Sequence, residues 1–132
     1  MVTAREIMTK EVMSTRPHCR VAEVIRVLYH HGISGLPVLD EEKHVIGMVT
    51  EADILDLKSG QELVQDIMSA PVCAVCEDMP LEEIAALLRE KKIKRVPVVR
   101  EGKLVGIVSR ADVVRALAMV KWGEHAGRGD VG

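Results

Sequence analysis

The 132-residue chain contains no phenylalanine, one tyrosine (Tyr29) and one tryptophan (Trp122). So few flat rings leave no platform on which single-stranded bases could stack, which argues against that class of nucleic-acid binding. An excess of positive charge is missing too. Lys+Arg number 18 against 20 Asp+Glu, giving a net charge of -2 and a pI near 6.2. No phosphate-tracking stripe is therefore expected, and nucleic acid is not an expected partner. The longest apolar runs, such as Val45-Ile46-Gly47-Met48-Val49, fall far short of the ~18 residues that span a bilayer. The N-terminus lacks a charged-then-apolar secretory pattern. The expectation is a cytoplasmic protein with no membrane partner. Cysteine is scarce and odd in number (Cys19, Cys73, Cys76), which agrees with a reducing compartment.

What is present is enough for a core: 48% of the residues are hydrophobic and 29% charged. A folded chain of this size buries roughly two-thirds of its surface, as one domain or two intimately packed halves. The chain is also written twice. A shift of 60 residues places Ile7-Met8 on Ile67-Met68, Val12 on Val72, Glu23 on Glu83, Leu28 on Leu88, Ile33 on Ile93 and Pro37-Val38 on Pro97-Val98. After a one-residue deletion the shift becomes 59, and Gly47, Val49, Ala52 and Asp53 fall on Gly106, Val108, Ala111 and Asp112. The deletion lies between Asp40-Glu41-Glu42-Lys43-His44 and Arg100-Glu101-Gly102-Lys103, where polar residues predict a hairpin turn.

Each copy reads as strand, helix, strand, strand, helix. Val21, Val24, Ile25 and Leu28 recur at helical spacing, and Gly32 is placed to close that helix in the left-handed conformation. Leu81, Ile84, Ala85 and Leu88 repeat the stripe after Asp78 and Pro80, which are helix-start residues. Leu36 to Leu39 with Val45 to Val49, and Val96 to Val99 with Leu104 to Val108, predict two hairpins. A proline inside each first strand points to an edge or a bulge. Closing helices start near Glu51 and Arg110. The predicted division is a first repeat over residues 1–60, a second over 61–122 and a Gly-rich flexible tail over 123–132.

Thr50-Glu51-Ala52-Asp53 and Ser109-Arg110-Ala111-Asp112 both have the spacing of a capping box, in which hydroxyl and carboxylate satisfy free amides at a helix start. The same geometry can also receive a ligand. A helix start attracts anions, and an Asp one turn in can accept both hydroxyls of a ribose.

A β-α-β-β-α unit occurring twice, with Leu36-Pro37-Val38-Leu39 before Gly47-Met48-Val49-Thr50-Glu51-Ala52-Asp53, and Val96-Pro97-Val98-Val99 before Gly106-Ile107-Val108-Ser109-Arg110-Ala111-Asp112, resembles the cystathionine-β-synthase (CBS) domain family. The resemblance runs from about Ile7 to Ala118. It implies an α/β (α+β) fold in which two repeats pack sheet to sheet with pseudo-two-fold symmetry. It further implies clefts for an adenosine-containing ligand: AMP, ADP, ATP or S-adenosylmethionine. In such proteins the hydroxyl residue faces phosphate and the Asp holds ribose, which carries over to Thr50 and Asp53, and to Ser109 and Asp112. The adenine would lie against Leu36-Pro37 and Val96-Pro97, with Thr15 and Val75 on the first strands. Such pairs often dimerise, so a homodimer is expected. Val27, Ala86 and Leu87 widen the apolar faces of the two long helices for that purpose.

The copies differ just before the Pro-containing strand, where the second has Lys94-Arg95 and the first Ser34-Gly35. Lys91 and Lys92 suit the negative end of a helix dipole. Lys94 and Arg95 are assigned to phosphate, with a cross-copy reach of Arg110 as a further contact. Cys73-Ala74-Val75-Cys76 has CxxC spacing but lacks the second pair of a closed zinc site, and no nucleophile–base set surrounds any His, so catalysis is not expected. Three functions follow in order. The first is a ligand sensor acting in trans on an effector protein, and the second a ligand-free interaction module. The third is a metal or redox sensor through Cys73 and Cys76.

Overall fold

The computed structural model describes residues 1–70 and 72–122. The segment 123–132 expected as a tail, with its Arg128-Gly129-Asp130 tripeptide, lies outside the described residues. The elements are α1 (Ala4–Ile7), α2 (Val21–His31), β1 (Gly35–Leu39), β2 (Val45–Thr50), α3 (Glu51–Leu55), α4 (Val64–Ile67), β3 (Val75–Cys76), α5 (Leu81–Lys91), β4 (Arg95–Arg100), β5 (Lys103–Ser109) and α6 (Arg110–Trp122). Both copies thus carry the predicted helix, hairpin and closing helix. The short helices α1 and α4 were not expected; four residues each leave too little periodicity to read.

The chain forms two units that do not follow the sequence copies. One, here the Asp53 unit, comprises Glu11–Cys73 and Glu101–Leu104. The other, the Asp112 unit, comprises Met1–Lys10, Ala74–Arg100 and the chain from Val105 on. The two copies have exchanged their leading arms: residues 1–10 pack with the strands of the second copy and residues 61–73 with those of the first.

In the Asp53 unit, β1 and β2 are antiparallel, with Gly35 opposite Thr50, Pro37 opposite Met48 and a bulge between Val38 and Leu39. The expected first strand shrinks to one bridge: Thr15 N–H donates to Pro37 O (3.0 Å) and Leu39 N–H to Thr15 O (2.9 Å). Against this sheet, α2 buries Val24 and Leu28, which form a core with Leu36, Val38, Val49 and Val64 of the incoming arm. Gly32 closes α2 at φ 61° as expected.

In the Asp112 unit the sheet order is β3-β4-β5, with Val75 opposite Val98 and Cys76 opposite Val99 in parallel. Its buried residues include Ala4 of the arm, Leu81, Ile84 and Leu88 of α5, and Val96, Val98 and Val108 of the strands. Pro97 therefore sits in a central strand, not at the edge that a proline suggests. The reason is visible at Pro37. Its missing N–H shares a flank with its own carbonyl, where the partner strand is one residue long, so no acceptor is left unmet. β3 is likewise two residues long and begins opposite Val98.

Candidate functional site

The same local device stands in each unit where the hairpin runs into the closing helix. In the Asp112 unit, Ser109 N–H donates to Asp112 Oδ2 (2.9 Å) and Asp112 N–H donates to Ser109 Oγ (3.2 Å). This is a reciprocal capping box at the start of the 13-residue α6. In the Asp53 unit, Thr50 N–H and Thr50 Oγ1 both donate to Asp53 Oδ2, at 2.8 and 3.2 Å. The helix that follows, α3, has only five residues.

The strand entering each hairpin is tied to that helix start. Arg110 N–H donates to Lys94 O (2.9 Å), and Glu51 N–H to Ser34 O (3.0 Å). The bond places Lys94-Arg95 at the positive end of α6 next to Ser109 and Asp112, and Ser34-Gly35 at the corresponding place in the Asp53 unit. Arg110 Nε donates to Ile93 O at 3.0 Å. Thr15, Leu36, Pro37, Val96 and Pro97 are all buried. Leu36 and Pro37 are below 2% exposure and Val96 is at 0%; their side chains are walls of the two cores.

The second carboxylate oxygen separates the two sites. Asp53 Oδ1 accepts a hydrogen bond from Ser69 Oγ (3.0 Å). Among the described residues Asp112 Oδ1 meets only Arg115 Nη2 at 3.4 Å, and Arg115 is largely exposed. Sequence reasoning missed Ser69. The self-alignment sets it on Thr9 after Ile-Met in both copies, but its pairing with Met48 links distant parts of the chain. Glu77 was missed as well. It is 6% exposed and takes two bonds from Arg100, Nε to Oε1 (2.7 Å) and Nη2 to Oε2 (2.8 Å), and one from Arg5 Nε (3.4 Å). The Arg100 bonds hold the Glu77 carboxyl below its usual range, against burial that pushes it up.

Cys73 is half-buried and Cys76 exposed. Among the described residues neither belongs to a group of three or more possible metal donors. The one such group is Asp40, Glu42 and His44, with ligand atoms within 4.8 Å of one another. It is organised by its own turn: Glu42 N–H and His44 N–H both donate to Asp40 Oδ1 at 2.9 Å. Burial pushes the Asp40 carboxyl up, and these hydrogen bonds with the His44 ring outweigh it and bring it below its usual range. Among the described residues no helix is long and apolar enough to cross a membrane.

The α2 face turned away from the core borders a groove of about 400 Å³ lined by Ile25, Tyr29, Ile33, Ile54 and Leu55, with Tyr29 at 81% and Leu55 at 88% exposure. Val27 packs against the core instead. The surplus apolar surface of this helix is therefore the Ile25–Tyr29 stripe rather than the position expected.

The CBS domain model matches residues 4–60 and again 64–119. Among curated relatives, the chain is 33% identical over 113 residues to inosine-5'-monophosphate dehydrogenase of Methanocaldococcus jannaschii, covering 85% of this chain and 23% of that protein. It is 32% identical over 154 residues to the chloroplastic CBS domain-containing protein CBSX1 of Arabidopsis thaliana, covering 90% of this chain and 65% of that one. The chain thus spans less than two-thirds of these relatives. Among solved structures, CBSX2 of Arabidopsis thaliana in complex with AMP superposes with a TM-score of 0.87 at 32% identity, covering 92% of this chain and 99% of that one. The CBS domain pair of MJ0100, in complex with 5'-methylthioadenosine and S-adenosyl-L-methionine, gives a TM-score of 0.82 at 28% identity, covering 89% and 97%.

Proposed function

The chain belongs to the CBS domain family, and from that premise we infer that it is a regulatory module whose Asp112 unit binds an adenosine-containing ligand and relays its occupancy to an effector protein. The observation that supports this reading is the bond from Arg110 N–H to Lys94 O (2.9 Å), which brings the backbone of the Lys94-Arg95 pair to the helix start where Ser109 and the buried Asp112 stand. Lys94 and Arg95 meet phosphate there, Ser109 adds a hydroxyl and Asp112 accepts the ribose hydroxyls. Val96 and Pro97 back the site from the core. The ligand is AMP, ADP or ATP, or S-adenosylmethionine, in keeping with the AMP, methylthioadenosine and S-adenosylmethionine held by the similar proteins.

The Asp53 unit offers the weaker site. Thr50 and Asp53 repeat the cap, with Thr15, Leu36 and Pro37 behind them, but Ser34-Gly35 supply no charge. A five-residue helix also gathers less dipole than one of 13 residues. The lost cationic hydrogen bonds are worth roughly 1.5–3 kcal/mol, about tenfold or more in affinity.

Calorimetry with adenosine, AMP and ATP tests the assignment. Asp112→Ala removes the tighter site. Lys94→Ala with Arg95→Ala weakens ATP by about tenfold or more while leaving adenosine nearly unchanged. Equal losses for both ligands would make the basic pair a solvated helix end.

The Ile25–Tyr29–Leu55 groove supports association as a homodimer, and with it the ligand-free interaction module as the second reading. Sedimentation of the wild type against Tyr29→Glu checks this: a monomer at tens of micromolar for both sinks the dimer.

A further inference from the structure

We propose that Ser69, carried into the Asp53 unit on the exchanged arm, is the residue that keeps that unit's carboxylate from an incoming ribose. The inference rests on the reading that Asp53 and Asp112 are the ribose acceptors.

Ser69 is fixed from both sides. Its N–H donates to Met48 O (2.8 Å) and its carbonyl accepts from Met48 N–H (3.0 Å), so its backbone is clamped to β2. From that position Ser69 Oγ donates to Asp53 Oδ1 at 3.0 Å, while Asp53 Oδ2 is taken by the Thr50 amide at 2.8 Å and the Thr50 hydroxyl at 3.2 Å. Both oxygens of Asp53 are thus engaged by the chain itself. A ribose diol that seeks two lone pairs on this carboxylate has to displace the serine hydroxyl first.

The other unit supplies the internal control. Thr9 makes the same clamp, its N–H donating to Ile107 O (2.9 Å) and its carbonyl accepting from Ile107 N–H (3.0 Å). Among the described residues its hydroxyl makes no bond to Asp112. Among those residues Oδ1 there faces only the long 3.4 Å contact from Arg115, whose side chain is 58% exposed and can turn to solvent. Asp112 Oδ1, though buried, therefore holds no hydroxyl that a ribose would have to displace. The two arms share a backbone and differ in whether their hydroxyl reaches the acid.

Ser69 is exposed, so Ser69→Ala is not expected to disturb folding, and a melting curve confirms that. AMP is titrated into the full chain and followed by amide NMR, with Thr50 to Asp53 reporting one unit and Ser109 to Asp112 the other. In Ser69→Ala the Asp53-unit signals are expected to saturate at an AMP concentration about three- to tenfold lower than in the wild type, the worth of one displaced hydrogen bond. The Ser109 to Asp112 signals move as before. An unchanged or weakened response at Thr50 to Asp53, with normal binding at Ser109 to Asp112, overturns the role of Ser69 and leaves the adenosine reading standing. No response to AMP in either unit overturns both.

Discussion

The two arms dock by the same backbone and by different side chains. In the Asp112 unit Leu81 N–H donates to Val2 O, Ala4 N–H to Met79 O and Arg5 N–H to Glu77 O, at 2.9, 2.9 and 3.0 Å. In the Asp53 unit Val21 N–H donates to Glu62 O, Val64 N–H to Cys19 O and Gln65 N–H to Pro17 O, at 2.8, 2.9 and 2.9 Å. Main-chain donors recur one for one, because buried amides have to be paired whatever the sequence. The side chains were free to diverge. Where one arm brings Arg5 to a buried Glu77, the other brings Gln65 to Pro17 and makes no ion pair there. Duplication preserves what the backbone needs and varies what ligands and solvent meet.

The largest expected effect tests whether the arms are integral to both units. Met8 covers Gly106 and Met68 covers Gly47. A methyl group built on Gly106 would lie 2.5 Å from Met8 Sδ and 3.1 Å from its Cβ, and one on Gly47 would lie 2.8 Å from Met68 Sδ and 3.3 Å from Ser69 O. A glycine is needed at both places for close approach of the arm, not for an unusual φ. Gly106→Ala should destabilise by about 1–3 kcal/mol, the cost of overpacking, and Gly47→Ala by less, because the tip of Met68 can swing while the Met8 clash reaches the Cβ. Met8→Ala in the Gly106→Ala background should recover part of the loss in a urea titration. No recovery would mean that the arm is not what the methyl group meets.

The next effect separates the arms by pH. The Glu77 carboxyl is depressed in the folded chain, first by its hydrogen bonds to Arg100. Its contribution to stability is therefore fully present above the unfolded value, near 4.5, and drains away as pH falls through that value and then through the folded one. Hydrogen exchange at the amides of Ala4 and Arg5 should accelerate relative to Val64 and Gln65 on acidification below pH 4.5, beyond the intrinsic pH dependence of exchange. Glu77→Gln should abolish the difference between the arms in pH response. Parallel behaviour of the two arms in the wild type would deny the clasp any role.

The repeat, both hairpins, both long helices and the reciprocal caps were legible because each rests on local spacing: Val24 to Leu28, Ile84 to Leu88, Ser109 to Asp112. The candidate cation pair at Lys94-Arg95 was legible for the same reason, as a difference between aligned copies. What escaped was long-range. Periodicity says which face of a helix is apolar but not which partner covers it, so the exchange of arms went unseen, and with it Ser69 beside Asp53 and Arg5 beside Glu77. Met8 and Met68 stood out as residues that recur in register, yet only contact with Gly106 and Gly47 explains why glycine stands in both motifs.

The smallest expected effect concerns the ends of the 11-residue helices α2 and α5. Gly32 ends α2 at φ 61°, its N–H donating to Leu28 O, and Ile33 N–H reaches the same carbonyl at 3.2 Å. Lys92 ends α5 at φ 56° with its N–H on Leu88 O and Arg89 O, and Ile93 N–H on Leu88 O at 3.1 Å. The turns are equivalent, but a lysine pays the steric cost of the left-handed region, roughly 1–2 kcal/mol, that glycine escapes. Three terms decide the sign of Lys92→Gly. Relief of strain stabilises, greater freedom of the unfolded chain costs about 0.5–1 kcal/mol, and loss of a cation at the negative end of the helix costs about 0.3–1 kcal/mol at an exposed site. The sum is close to zero at low salt and becomes a gain of under about 1 kcal/mol as salt screens the dipole term. Gly32→Ala has no compensating charge and should lose about 1 kcal/mol. Urea midpoints for both variants at low and high salt check this. A Lys92→Gly variant less stable than the wild type at high salt would mean that Lys92 is held by something other than the helix end.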